Sequence, residues 1–179
     1  LIGLSLNPNS KSGLSINYLD RQSSNLQGSS NLASVNSKYW LLKTFFTTLN
    51  HSFLPTKGAS TKLGFGQGIR KTSEDEQTQY TAEVHFKYFN GIHKKSKFYL
   101  GLEAQGLFNS DLVVNELFRV GGVNSIRGFN EQSLFASTYA FTQIEYRYFL
   151  ERLTYTFLFV DMGFLENKAA SIPTNSWLT

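Results

Sequence analysis

Residues 78–89 read TQYTAEVHFKYF, and polar and apolar side chains alternate without a break from Gln79 to Tyr88. Tyr80, Ala82, Val84, Phe86 and Tyr88 fall on one side of an extended chain. Gln79, Thr81, Glu83, His85 and Lys87 fall on the other. A helix, at 3.6 residues per turn, would scatter both sets around its axis, whereas a strand separates them. The stretch therefore predicts a half-buried β-strand of about ten residues.

The same period runs outward in both directions. In KFYLGLEAQGLF (97–108), Phe98, Leu100, Leu102, Ala104 and Phe108 oppose Tyr99, Gly101, Glu103 and Gln105. In STKLGFGQGIRK (60–71), Leu63, Phe65 and Ile69 oppose Lys62, Gly64, Gly66, Gly68 and Arg70. Leu14, Ile16 and Tyr18 oppose Ser15 and Asn17. Further strands are expected at 1–6, 37–53, 137–149 and 153–165, giving about eight strands joined as up-and-down hairpins.

The connections alternate in length. NPNSK (7–11), FLPTKG (53–58), NGIHKK (90–95) and LERL (150–153) are short, as is KTSEDEQ (71–77). The stretches 23–36 and 110–136 are long and polar, and SSNLQGSSNLASVNS (23–37) reads as an exposed loop. Strands of about ten residues, with short turns at one end and long loops at the other, suit an outer-membrane β-barrel. A soluble sandwich or lipocalin-like barrel also alternates, but sandwich strands usually run nearer five or six residues.

Composition narrows the function. Only 17% of the 179 residues are charged against about 25% in a typical soluble domain, while 15% are aromatic. The net charge of +4 is spread along the chain, so no nucleic-acid footprint is expected. With no cysteine, disulfides, thiol catalysis and cysteine metal sites are excluded. No run approaches the ~18 apolar residues of a membrane helix. LIGLSL carries neither an initiator methionine nor a basic leader region, so the start reads as a cut end. His51, His85 and His93 show no metal-ligand spacing, and the serines lack a nucleophile elbow. Neither an enzyme activity nor a cofactor is expected.

One stretch stands apart: LFRVGGVNSIRGF (117–129), in which paired glycines are followed by a single arginine, Arg127, and a third glycine between strands. It resembles the signature of the Omp85 (outer-membrane protein 85) superfamily, whose members include BamA- and TamA-type assembly factors and two-partner secretion transporters. Arg127, Gly128 and Phe129 match the family's arginine-glycine-aromatic triplet, Ile126 the aliphatic position before it, and Gly121 and Gly122 the paired glycines. FLPTKG resembles the family's periplasmic turn, through Pro55 and Gly58. QIEYRYF (143–149) and FLFVDMG (157–163) resemble its next strands, with Glu145 and Asp161 at the acidic positions. The four motifs fall in family order across more than half the chain.

The resemblance implies a sixteen-stranded transmembrane barrel in the outer membrane of a Gram-negative bacterium, of which 1–179 would be a part. POTRA domains and the closing strands are absent from it, and the chain ends at PTNSWLT in an expected extracellular loop. Loop 110–136 would be extracellular and fold back into the lumen, where Arg127 meets Glu145 or Asp161. Alternation turns Glu145 and Arg147 inward, opposite Ile144, Tyr146 and Tyr148. Asp161 shares its face with Phe157 and Phe159, so its inward direction is implied by the resemblance alone. Gly128 would let the tip turn tightly and approach the wall, and Phe129 would pack there. Gly64, Gly66 and Gly68 either leave room in the lumen or mark a barrel bend.

The implied function is assembly of β-barrel proteins in the outer membrane, with a two-partner secretion transporter as the alternative. A passive porin would be the reading from another class. The implied partners are the outer-membrane bilayer, unfolded outer-membrane protein clients, and periplasmic chaperones or assembly lipoproteins reached through the missing domains. No nucleic acid is among them.

Overall fold

A computed structural model describes residues 2–23, 34–73, 75–123, 125–169 and 174–178. Nine strands form one antiparallel sheet in the order β1 (Ile2–Asn9), β2 (Ser12–Ser23), β3 (Val35–Thr47), β4 (Gly58–Lys71), β5 (Glu76–Gly91), β6 (Ser96–Phe108), β9 (Thr138–Phe149), β10 (Tyr155–Asn167) and β11 (Thr174–Leu178). Between β6 and β9 lies a small hairpin of β7 (Phe118–Val120) and β8 (Leu134–Ala136). The architecture is all-β and up-and-down, and the described sheet does not close on itself, since β1 and β11 lie at its two edges.

The six strands from β3 to β6 and β9 to β10 run 12 to 16 residues, well beyond the five or six usual in a soluble sandwich. Register carries the sequence alternation intact across the sheet. Leu41 pairs with Gly66, Gly66 with Thr81, Thr81 with Leu107, and Glu103 with Phe141. One face is therefore continuous through Ser15, Lys43, Lys62, His85, Glu103, Gln143 and Asp161. The loop between β6 and β9 lies on this inner face.

The outer face carries Leu4, Ile16, Leu42, Phe65, Leu102, Leu158, Val160 and Met162, all exposed. A water-facing monomer rarely leaves so broad an apolar band uncovered. The band is edged by rings: Tyr18, Trp40, Tyr80 and Phe108 at the long-loop end, and Phe46, Tyr88, Tyr146 and Tyr148 at the short-turn end. Beyond Tyr18 and Trp40, whose ring centroids are 5.3 Å apart, the outer positions turn polar at Asp20 and Lys38. An apolar belt between aromatic girdles is the outer surface of a membrane barrel.

Three local expectations are corrected. TNSWL forms β11, paired through Trp177 opposite Phe164, because its alternation continues the β10 edge. The third strand ends at Thr47, where Asn50 takes over the chain's hydrogen bonding, and does not extend to residue 53. Loop 110–136 holds a 3-10 turn, Val114–Glu116, as well as the hairpin. Of the polar stretch 23–37, residues 24–33 lie outside the described ones, and Val35 to Ser37 already belong to β3.

Candidate functional site: the inserted loop and its seat

The loop leaves β6 and turns at Val114–Glu116, runs through β7 to a tip at 121–133, and returns through β8. At the neck of the tip, Gly121 and Gly122 have φ of 116° and 94°, which side chains beyond glycine seldom adopt. Space is also lacking there. A Cβ on Gly121 would collide with the Asn130 carbonyl oxygen, and one on Gly122 with the Glu131 carboxylate. The Ser125 hydroxyl accepts a hydrogen bond from the Gly121 amide at 2.8 Å, and Glu131 Oε1 accepts one from Val123 at 3.1 Å. These bonds close the tip on itself.

Arg127 joins the tip to the wall. Its Nε donates to Asp161 Oδ2 at 2.7 Å and its Nη2 to Asp161 Oδ1 at 2.5 Å, the two-pronged geometry that a guanidinium alone supplies. Its backbone amide also donates to Asp161 Oδ2, at 3.1 Å. Nη1 reaches Glu145 Oε1 at 2.6 Å, so both acidic positions are engaged. Arg147 shares Glu145 through Oε2 at 2.6 Å and lies within 5.4 Å of the ring centres of Phe89, Tyr99 and Tyr155. Two arginines and two carboxylates thus alternate across β9, β10 and the loop.

The face of Asp161, which periodicity left open, is the inner one. Phe157 and Phe159 point the same way because they serve the same arginine: its guanidinium carbon lies 3.9 Å from the Phe159 ring centre and 5.9 Å from that of Phe157. Apolar residues on a polar face here are a cation platform.

Next to the ion pair, Ile126 is buried with Val120, Ala136, Tyr139, Phe141 and Leu165, and Phe129 packs against this cluster. Tyr139 and Phe141 come from β9 and Leu165 from β10, so the tip is seated on the inner wall. Gln143 adds a hydrogen bond to the Ser125 carbonyl at 2.9 Å. Gly163 makes the seat possible: a Cβ there would lie 2.5 Å from Phe141 and 3.1 Å from Ile126. Sequence reasoning passed over this glycine, although it is the last residue of FLFVDMG, two positions from Asp161.

The family model for the Omp85 superfamily domain matches residues 2–176. The chain belongs to the Omp85 superfamily. A search of curated proteins gave no match.

In this Omp85 domain, two glycine expectations need amendment. Gly128 has φ of 94°, as a tight turn requires, but among the described residues nothing lies within 4 Å of where its Cβ would be. It serves the turn and not a close approach to the wall. Gly64, Gly66 and Gly68 leave room neither for the loop tip nor for a passing chain, since neighbouring strands fill that space. A Cβ would strike Glu83 at Gly64, Leu41 and Thr81 at Gly66, and Tyr39 and the Lys38 carbonyl at Gly68.

The turn carrying Pro55 and Gly58 lies at the short-turn end, away from the loop. Gly58 opens β4 with φ of 108°, and a Cβ on it would press on the Thr48 carbonyl. Pro55 is half-buried. Asn50, not anticipated from sequence, organises the turn by accepting the Thr56 and Lys57 amides at 3.0 and 3.1 Å.

A second ion pair was also missed. Glu116, in the 3-10 turn, receives Arg70 Nε at 2.9 Å and Nη2 at 2.8 Å, and both side chains are buried. Gln79 on β5 extends the contact to Glu116 Oε1 at 3.4 Å, and the Tyr39 hydroxyl on β3 donates to Gln79. The signals were present but silent: Arg70 ends the inward row of β4, and Glu116 precedes LFR by one residue. Nearer the loop's start, hydrogen bonds from Gln77 and Ser110 hold the Asp111 carboxyl below the usual carboxylate range.

Proposed function

We propose that the protein is an outer-membrane protein assembly factor, which inserts and folds other β-barrel proteins in the bacterial outer membrane. The work is non-covalent: an unfolded client gains strand pairing while the bilayer is locally prepared for it. The bilayer and the unfolded client are the direct partners, with periplasmic chaperones or assembly lipoproteins delivering the client. The observation that carries the reading is the docked tip, in which Arg127 spans Asp161 and Glu145 while Ile126 and Phe129 fill the seat beside them.

A passive pore gains nothing from a loop pinned across its own wall. A secretion transporter must displace this loop to pass a chain along the β9–β10 side of the lumen. Strand addition at a sheet edge leaves the loop seated, which favours assembly. The intact protein, reconstituted in liposomes, should speed the insertion of an unfolded outer-membrane barrel, read as protease-protected client. Export of a polypeptide into the liposome interior would point to the transporter. Ion conductance without either activity would point to the channel.

A further inference from the structure

We infer that Arg70 and Glu116 form a second anchor, independent of Arg127, that fixes the base of the inserted loop to the β3–β5 wall. Only the tip beyond Gly121 and Gly122 is then free to dock and undock.

The two anchors lie on different walls. Arg127 is held by β9 and β10, whereas Glu116 is held by β4, with Gln79 of β5 and Tyr39 of β3 behind it. Three strands of the sheet order, β5, β6 and β9, lie between β4, which carries Arg70, and β10, which carries Asp161, and the loop crosses them. The base anchor is the more deeply buried, with side-chain exposures of 3% and 7% for Arg70 and Glu116 against 14% for Arg127. Glu116 accepts from both Nε and Nη2 of Arg70 and from the Val113 amide at 3.2 Å, so the carboxylate braces its own turn as well. A buried charge so fully engaged cannot leave without stranding its partner.

The wall is shaped for this contact. Gly68 and Gly66 lack the Cβ atoms that would strike Tyr39 and Leu41, so the Tyr39 ring occupies the space over Gly68 while its hydroxyl donates to Gln79. That is a structural use for the alternating glycines which neither a bend nor an open lumen supplies. Positive φ values mark both ends of the tip, at Gly121 and Gly122 where it begins and at Gln132 where it ends, besides the turn at Gly128 inside it. The β7–β8 pairing, Phe118 with Ala136 and Val120 with Leu134, closes the chain just outside these positions. Rigid base, hinge and docked tip follow in order along the chain.

Spin labels test this in the intact protein in a bilayer, with any cysteine outside residues 1–179 replaced; these residues themselves contain none. One label replaces Val114 in the 3-10 turn, and a second, in a separate sample, replaces Val123 in the tip; both residues are exposed. Arg127→Ala should convert the label at 123 from mostly restricted to mostly mobile and leave the label at 114 unchanged. Glu116→Gln should mobilise the label at 114. If that variant is not inserted, Arg70→Lys, which keeps the charge and loses the fork, is read at the same label and should shift it in the same direction. The inference is overturned if Arg127→Ala mobilises both labels together, or if the label at 114 is unmoved in every inserted Arg70 or Glu116 variant. Because loop mobility is the readout and client insertion is not, failure of the assembly reading would leave this result interpretable by itself.

Discussion

Replacing Arg127 with alanine removes both prongs on Asp161, the bond to Glu145 and the stacking on Phe159 in one step. The two carboxylates do not suffer equally. Glu145 keeps Arg147 at 2.6 Å, whereas the side-chain partner described for Asp161 is Arg127 itself. The cost is therefore mainly that of one stranded buried carboxylate, about 3–5 kcal/mol, against about 0–1 kcal/mol for an exposed pair. Asp161 is only 5% exposed, which places it towards the buried figure. At about 1.4 kcal/mol per tenfold, the docked state should lose at least roughly a hundredfold in population. Hydrogen exchange of the 121–133 amides in the intact protein reads this directly, since the Arg127 amide is bonded to Asp161. Their protection should fall by about two orders of magnitude, with strands β3 to β6 unchanged. Adding Asp161→Asn to Arg127→Ala removes the stranded charge and should restore about half of the loss in free-energy terms. Unchanged exchange in a folded Arg127→Ala protein, or an Asp161→Asn addition that worsens exchange, would refute the reasoning.

Other substitutions separate the remaining claims. Val84→Arg puts a charge on the outer belt at a cost of about 2–4 kcal/mol, while His85→Arg, one residue on, faces Glu103 inside; membrane-inserted yield should fall only for the first. Gly163→Ala should weaken tip docking by about 1–3 kcal/mol, because Phe141 and Ile126 must move, and exchange of the same tip amides would show it. Gly121→Ala combines an unfavourable φ with a collision and should cost more than Gly128→Ala, which meets open space and should cost about 1 kcal/mol. Asn50→Ala removes two amide acceptors from the Pro55 turn and should lower the unfolding temperature of the folded barrel, with tip protection unaffected.

Much of the fold was legible in the sequence because strand alternation is a local property. Successive side chains leave the backbone on opposite sides whatever the rest of the chain does. Tyr80, Val84, Phe86, Phe98, Leu100 and Leu102 were thus set on the faces of their strands opposite Lys87, Glu103 and Gln105 before any pairing was known. The register bears out each of these assignments. Glu145 was placed inward by the same rule. TNSWL, placed in an extracellular loop by the family resemblance and not by alternation, is a strand because its five positions pair with the edge that β10 offers.

The tertiary structure decided what alternation is blind to, namely which inward residues meet across the lumen. Asp161 and Phe159 look alike to a period of two, and only the arginine 34 residues away in sequence from Asp161 gives each its purpose. Arg70 and Glu116 are 46 residues apart, on a strand and a loop that no local rule connects. Gly64, Gly66 and Gly68 likewise acquired their meaning from Glu83, Thr81, Leu41 and Tyr39 on neighbouring strands. A strand's faces follow from its own backbone, whereas an ion pair between distant segments exists only once register, loop path and burial have together brought two charges within a few ångströms.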